Sequence, residues 1–200
     1  NMITKDTIKA QIYAFQKHAH QMYEDDVPYT VHLVLANMFC LKYIHLIPED
    51  KRDIVIISIW IHDVREDLGI SYNAIKNLFD VDVAEIVYNL TNNDGRTRKE
   101  KAINTYGPKI STNRFSVFGK LSDRLANVHY GLLHEANSML ETQAKEFDYM
   151  VEILYVPGEF DEMWLELATM LNKPNPSMQE NNYIFHGLKY YSQSCNKIVL

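Results

Sequence analysis

The sequence has few cysteines and no long apolar run. Its two cysteines, Cys40 and Cys195, are too few for a disulfide framework, which favours a reducing cytoplasm over secretion. The longest apolar run, residues 54–61, is too short to cross a bilayer. The first residues have neither the basic nor the apolar region of a signal peptide. We therefore expect a cytoplasmic protein that does not use the membrane.

An excess of positive charge, which is typical of nucleic-acid-binding proteins, is also lacking. The chain has 20 Lys and Arg against 26 Asp and Glu, and this net charge of -6 argues against general nucleic-acid binding. A small anionic substrate is not excluded, because it responds to local charge. The apolar content of 46% is that of an ordinary globular protein, and 200 residues suit one domain. A homo-oligomer is compatible with these features.

Strand-like alternation and internal repeats are absent, whereas apolar residues recur at the spacing of amphipathic helices. Residues 1–173 are therefore predicted to form a single all-α domain. The composition then changes to Pro174-Asn175-Pro176-Ser177, and we expect residues 174–200 to be a C-terminal extension that is either packed against a neighbour or mobile. The helices are expected at about residues 4–23, 29–44, 48–69, 71–79, 82–90, 96–106, 112–132, 143–156 and 159–171.

A polar cluster follows directly after the longest apolar run. His62 and Asp63 are adjacent, and Glu66 and Asp67 follow within one helical turn. Since the run at 54–61 must be buried, the cluster lies where a core helix reaches the surface. A buried ion costs several kcal/mol unless something pairs with it, and a metal pairs with several at once. One His-Asp dipeptide occurs by chance, so a metal site requires further ligands from elsewhere in the chain.

Two other helices supply such candidates. His32 lies on the same side of its helix as Leu35 and Phe39 and therefore faces inward. Asp123 lies near the apolar face of the long helix, and Asn127, four residues later, shares that face.

Three helices thus offer His32, His62 with Asp63, and Asp123. Two imidazoles and two carboxylates can bind one divalent ion and leave coordination positions for water. Mn²⁺, Fe²⁺, Zn²⁺ and Co²⁺ all suit these ligand types, so the residues alone do not choose among them.

The order and spacing of these candidate residues resemble those of HD-domain metal-dependent phosphohydrolases, specifically the small alarmone hydrolases of the RelA/SpoT group. The likeness covers roughly residues 10–155, and the combination of pieces is specific although each alone is weak. The matching motifs are Pro28-Tyr29-Thr30-Val31-His32, His62-Asp63-Val64-Arg65-Glu66-Asp67, Val87-Tyr88-Asn89-Leu90-Thr91 and Lys120-Leu121-Ser122-Asp123-Arg124-Leu125-Ala126-Asn127.

The resemblance implies an HD-domain helical fold and the removal of pyrophosphate from the 3′ position of a guanosine nucleotide such as ppGpp. It implies that Mn²⁺ is held by four ligands, that two carboxylates assist the chemistry and that Asn127 contacts the nucleotide. The four implied ligands are His32, His62, Asp63 and Asp123, and the two carboxylates are Glu66 and Asp67.

Elementary chemistry agrees with these roles. Glu66 lies three residues beyond Asp63, close enough to move a proton through a water. Two close carboxylates resist ionising together, so Glu66 and Asp67 could act as one acid and one base. Lys120 and Arg124 are candidates for neutralising phosphate charge.

The chain departs from the family pattern before the first ligand. The family has an Arg-Lys pair that packs on guanine, whereas this chain has Tyr23 and Glu24, and Leu68 replaces a usual threonine. Tyr23 can stack on a purine, but Glu24 cannot replace a lysine. A broader nucleotide phosphohydrolase therefore stays open, acting on ppApp, on the 2′-phosphate of NADPH or on nucleoside monophosphates. The sequence also leaves open a non-catalytic nucleotide-sensing domain.

Overall fold

The computed structural model describes residues 4–92 and 95–178. The predicted extension is described only as far as residue 178, so the assignment of 174–200 stays a prediction. Within the described residues the fold is all-α apart from one two-stranded antiparallel hairpin, β1 (Met22–Glu24) and β2 (Val27–Pro28). The helices are α1 Lys5–Lys17, α2 Thr30–Tyr43, α3 Arg52–Trp60, α4 Val64–Leu68, α5 Tyr72–Leu78, α6 Val81–Leu90, α7 Arg98–Tyr106, α8 Arg114–Leu133, α9 Asn137–Leu154 and α10 Asp161–Met170.

Helix α8 is the centre of the domain. It contacts α2, α3, α6, α9 and α10, and nearly every residue from 116 to 126 is buried. At Gly119 a Cβ atom would lie 3.0 Å from Leu90 Cδ1 and 3.1 Å from Ile59 Cδ1, so the absence of a side chain lets α3 and α6 approach closely. The candidate residues on α8 are therefore held by packing on several sides.

The sequence prediction of one continuous helix over residues 48–69 is wrong. The structure has a 3₁₀ turn at Glu49–Lys51, then α3, a break at residues 61–63, and α4. The ring of His62 contacts the carbonyl of Ile59 through Nδ1 at 2.8 Å. In an unbroken helix the amide of Asp63 would bond that carbonyl, so the histidine side chain replaces a backbone bond where the helix ends. Gly69, with φ of +67°, ends α4 as expected.

The first helix is shorter than its apolar pattern predicts. It begins after a capping box between Thr4 and Thr7 and ends at Lys17, and the chain then turns into the hairpin. The amide of Tyr29 donates to the carbonyl of Gln21 at 3.0 Å, which closes this turn beside the start of α2. The hairpin thus lies next to the candidate ligand His32.

None of the described helices is both long enough and apolar enough to cross a membrane. The apolar side chains are instead gathered in the core around α8, where Leu121 and Trp164 are fully buried.

The position of α8 in the core gives a stability prediction. Leu121→Ala removes a side chain with 0% exposure, so we expect the free energy of unfolding to fall by about 2–5 kcal/mol. Leu133→Ala is the matched control on the same helix, because Leu133 is 65% exposed, and we expect it to change stability by less than about 0.5 kcal/mol. Urea unfolding followed by circular dichroism measures both, and equal losses would contradict the placement of α8.

Candidate metal centre and cleft

Three separate parts of the fold bring the predicted ligands together. His32 lies in the first turn of α2, His62 and Asp63 lie at the break between α3 and α4, and Asp123 lies on α8. His32, His62 and Asp123 are all buried, with at most 9% of each residue exposed. The packing of α8 against α2 and α3 thus places them at one point.

The ligand atoms lie at the separations that one ion requires. One atom each from His32, His62 and Asp123 lies within 4.8 Å of the others. The Nε2 atoms of His32 and His62 are 3.3 Å apart, and Asp123 Oδ1 lies 3.5 Å from the first and 3.9 Å from the second. Ligands bonded to an ion at about 2.1 Å are about 3 to 4 Å from one another, so the residues fit a divalent metal.

Asp63 lies beside the same atoms. Its Oδ2 is 2.8 Å from His62 Nε2 and 3.5 Å from His32 Nε2. The hydroxyl of Tyr29 donates to this oxygen at 2.5 Å, which fixes the orientation of the carboxylate. Asp63 therefore lies close enough to act as a fourth ligand, and this role stays a prediction.

The tautomer of His62 favours metal binding. Its Nδ1 lies 2.8 Å from the carbonyl of Ile59, an acceptor, so Nδ1 carries the proton in the neutral ring. The lone pair of Nε2 then faces Asp63 and Asp123. Metal-binding histidines are commonly oriented in this way, with the other ring nitrogen bonded to a carbonyl.

The cluster is electrostatically attractive to a cation. Burial lowers the pKa of His62, but the carboxylates of Asp63 and Asp123 outweigh burial and raise it to about 9. Burial raises the pKa of Asp63, whereas the neighbouring histidines outweigh it and hold the pKa well below its usual range. Two ionised carboxylates thus face two imidazoles in the interior, and a positive charge is what stabilises them there.

Asp123 has two further partners. Lys120 Nζ donates to its Oδ2 at 2.8 Å, and Asn127 Nδ2 donates to its Oδ1 at 2.7 Å. Asn127 in turn accepts from the hydroxyl of Tyr23 at 2.6 Å. The ring of Tyr23 is stacked on His32 with centroids 5.4 Å apart. Lys120, Asn127 and Tyr23, predicted as substrate contacts, therefore surround the metal ligands, and their contact with substrate stays a prediction.

A cleft of about 430 Å³ opens beside the cluster. It combines three of the four candidate ligands, the two candidate catalytic carboxylates and a group of cationic side chains. The cleft is lined by Tyr29, His32, Asp63, Glu66, Asp67, Asn92, Arg96, Arg98, Lys101, Ala102, Lys120, Asp123, Arg124, Asn127 and Glu146.

The two candidate catalytic carboxylates have different partners. Glu66 Oε2 accepts from the backbone amide of Asn92 at 2.8 Å, and burial raises the pKa of Glu66. Asp67 Oδ2 accepts from Gln21 Nε2 at 2.7 Å. Each carboxylate is therefore held by a hydrogen bond of its own at the edge of the cleft.

Arg124 is buried within a network behind the cleft. It donates to Gln143 Oε1 at 2.7 Å and to the hydroxyl of Tyr106 at 2.9 Å, and it lies 2.8 Å from Glu146 Oε2. Arg98 pairs with the other oxygen of Glu146. Arg124 is thus a structural cation in this arrangement, and its predicted role toward phosphate stays untested.

Sequence reasoning missed two groups of residues at this site. Tyr29 and Gln21 hold Asp63 and Asp67, and only their closeness in sequence to His32 could have suggested it. Arg96 and Lys101 line the cleft, whereas a run of charged residues such as theirs by itself indicates most simply a solvated face.

The metal centre can be tested without a reaction. We expect His62→Ala and Asp123→Asn each to abolish stoichiometric Mn²⁺ binding, because the first removes an imidazole and the second a carboxylate charge from the four candidate ligands. Isothermal titration calorimetry and elemental analysis of the purified variants measure this. His20→Ala is the control, since His20 is exposed and outside the cluster, and it should bind Mn²⁺ normally. Full metal occupancy in Asp123→Asn would refute the site.

The network of Glu146 gives a pH prediction. Burial raises the pKa of Glu146, but Arg124 and Arg98 outweigh burial and lower it below the usual value of 4.5. A lowered pKa in the folded state means that ionised Glu146 stabilises the fold above pH 4.5 and that this stability is lost as the pH falls.

We therefore expect Glu146→Gln to lower the free energy of unfolding by about 3 kcal/mol at pH 7, because it leaves buried arginine charge unpaired. The difference from the unchanged protein should shrink as the pH falls below 4.5. Urea unfolding between pH 3 and pH 7 measures it, with exposed Glu49→Gln as control. A difference that grows at low pH would contradict the assignment.

No protein-family model matches this chain, and no curated protein does so either. Among solved structures, the chain is similar to a protein described as a metazoan ortholog of SpoT that hydrolyses ppGpp and plays a role in starvation responses. The identity is 17%, the TM-score is 0.57, and the match covers 96% of this chain and 97% of that one. The likeness confirms the fold prediction: the chain has the all-α HD-domain fold.

Proposed function

We propose that this protein is a metal-dependent phosphohydrolase that removes the 3′-pyrophosphate of guanosine alarmones, converting ppGpp to GDP and pppGpp to GTP. The observation that carries the proposal is the cluster of His32, His62, Asp63 and Asp123 beside a cleft that also contains Glu66. The likeness to a ppGpp-hydrolysing protein of the same fold supports the choice of substrate.

We propose Mn²⁺ as the metal, because a mixed set of imidazole and carboxylate ligands suits it and leaves positions for water. A bound divalent ion polarises a phosphoryl oxygen and lowers the pKa of its water to about 7. The orientation of His62 supports this assignment, since its Nδ1 contacts the carbonyl of Ile59 and its Nε2 faces the other candidate ligands.

Glu66 is our candidate for the general base. Burial raises its pKa, which makes the carboxylate a better proton acceptor near neutral pH, and the amide of Asn92 holds it at the cleft. Glu66 would accept the proton of the water that attacks phosphorus. The proton that Glu66 accepts would then pass to the departing ribose oxygen through a water held by Asp67, which lies next in sequence and is itself held by Gln21.

Lys120 has a separate role in this proposal. Its ammonium group is buried against Asp123, and it also lines the cleft. It would hold the Asp123 carboxylate in place and offset negative charge that develops on the phosphoryl oxygens.

The second candidate is a broader nucleotide phosphohydrolase with the same chemistry. Tyr23 is bonded to Asn127 and stacked on His32, and Glu24 accepts from the hydroxyl of Tyr130 at 2.8 Å. Neither residue is therefore arranged as a selective site for guanine. A sensing domain without turnover is less favoured, because four ligands and Glu66 are brought together.

We expect Mn²⁺-loaded protein to release pyrophosphate from ppGpp, and Glu66→Gln to lower kcat by about 100-fold or more because the general base is lost. Coupled pyrophosphate detection measures the rate, and Mn²⁺ content is measured on the same samples. Glu49→Gln is the matched control, an exposed glutamate outside the cleft, and should have normal activity.

Two results would overturn the proposal. Normal activity of Glu66→Gln would remove the assigned base. Stoichiometric Mn²⁺ without turnover of ppGpp would leave a metal-binding domain of another function.

A further inference from the structure

The cleft has almost no surface on which a nucleobase could stack. Of the described residues that line it, Ala102 is the only aliphatic one, and Tyr29 and the candidate ligand His32 are the only ones with rings. Sites that hold a base usually provide an aromatic or apolar surface, and base–aromatic stacking contributes about 1–3 kcal/mol. The lining is dominated instead by carboxylates and cations.

The rings near the cleft are already in contact with the protein. Tyr29 is stacked on His18 with centroids 4.9 Å apart, and its hydroxyl is bonded to Asp63. Tyr23 is stacked on His32 and contacts Tyr130 edge-on at 4.6 Å. One ring face of each tyrosine is therefore already occupied by a histidine.

The cationic side chains of the cleft differ in how they are paired. Lys120 is bonded to Asp123, and Arg98 and Arg124 are paired with Glu146. The side chains of Arg96 and Lys101 make no ion pair with any residue in the described ranges 4–92 and 95–178, and both residues are exposed at the start of α7. These two cations are therefore available to an anionic ligand.

We propose that the cleft selects its substrate by phosphate groups and not by the base, and that Arg96 and Lys101 hold the phosphates that are not hydrolysed. The base then lies outside the cleft and makes no selective contact. This inference rests on the proposed function and deepens it. The inferred substrates are nucleotides that carry a 3′-pyrophosphate and further phosphates. The protein should hydrolyse the guanosine and adenosine forms equally well.

The first test compares ppGpp with ppApp on Mn²⁺-loaded protein. The two compounds differ only in the base, so we expect their kcat/KM values to agree within about threefold, less than one hydrogen bond would cause. A preference of about 30-fold or more for either compound, equal to about 2 kcal/mol, would overturn the inference. Hydrolysis of ppGpp alone would in that case leave the proposed function standing.

The second test removes the unpaired cations. Arg96→Ala and Lys101→Ala should each raise KM by about tenfold, because each removes a charge-assisted hydrogen bond, and should affect KM more than kcat. The increase should be equal for ppGpp and ppApp. Lys99→Ala is the control, an exposed lysine on α7 that does not line the cleft, and should leave both constants unchanged. No increase in KM, or a change in the ratio between the two compounds, would refute these roles.

Equilibrium binding separates this inference from the proposed function. If no turnover occurs, the dissociation constants of ppGpp and ppApp for Mn²⁺-loaded Glu66→Gln are measured by calorimetry, with guanosine as the phosphate-free probe. Equal constants without guanosine binding would support phosphate selection even if the reaction assigned above is wrong. Unequal dissociation constants for ppGpp and ppApp, or measurable binding of phosphate-free guanosine, would overturn the inference of phosphate selection.

Discussion

The site depends on one electrostatic constraint: four electron-rich side chains converge at a point that is largely closed to water. Transferring ionised carboxylates into the interior costs several kcal/mol each unless their charge is matched. Lys120 and the hydroxyl of Tyr29 supply part of the compensation for Asp123 and Asp63. The facing Nε2 atoms of His32 and His62 add two acceptors when both rings are neutral. One divalent cation would satisfy the two carboxylates and the two Nε2 atoms together, whereas two separate ion pairs would each satisfy only one carboxylate.

The backbone makes this convergence possible through one break and one rigid helix. The break at residues 61–63 turns His62 and Asp63 away from the path of α3, and the bond between His62 and Ile59 satisfies the carbonyl that the break exposes. Helix α8 is packed on several sides, so Asp123 has little freedom to move. Precision at the site is therefore a consequence of core packing, and a loss of packing around α8 would weaken metal binding before any ligand is changed.

The sequence predicted the all-α fold, and it named candidate ligands that lie close together in the structure, because both follow from periodicity and local chemistry. The apolar run before His62 and the inward face of His32 are local signals. The hairpin at residues 22–28 was missed because a strand of two or three residues has no measurable alternation. The helix break was missed for a different reason: it arises from a side chain that competes with the backbone, and helix propensity does not include such a bond.

The cationic side chains of the cleft were also beyond local signals, since Arg96 and Lys101 line it only because α7 packs beside α9. The distribution of charge in the cleft affects how a phosphorylated substrate can bind. Asp63 and Asp123 contribute carboxylates of the candidate metal site to the cleft, whereas the unpaired cations Arg96 and Lys101 come from the start of α7. The proposed substrate, with phosphates at both ends of a ribose, would be repelled by the carboxylates alone and attracted by the cations, so productive binding would require a bound ion to offset the carboxylate charge. Metal and substrate binding should therefore be cooperative, because the bound ion removes the repulsion that a second phosphate group would otherwise meet.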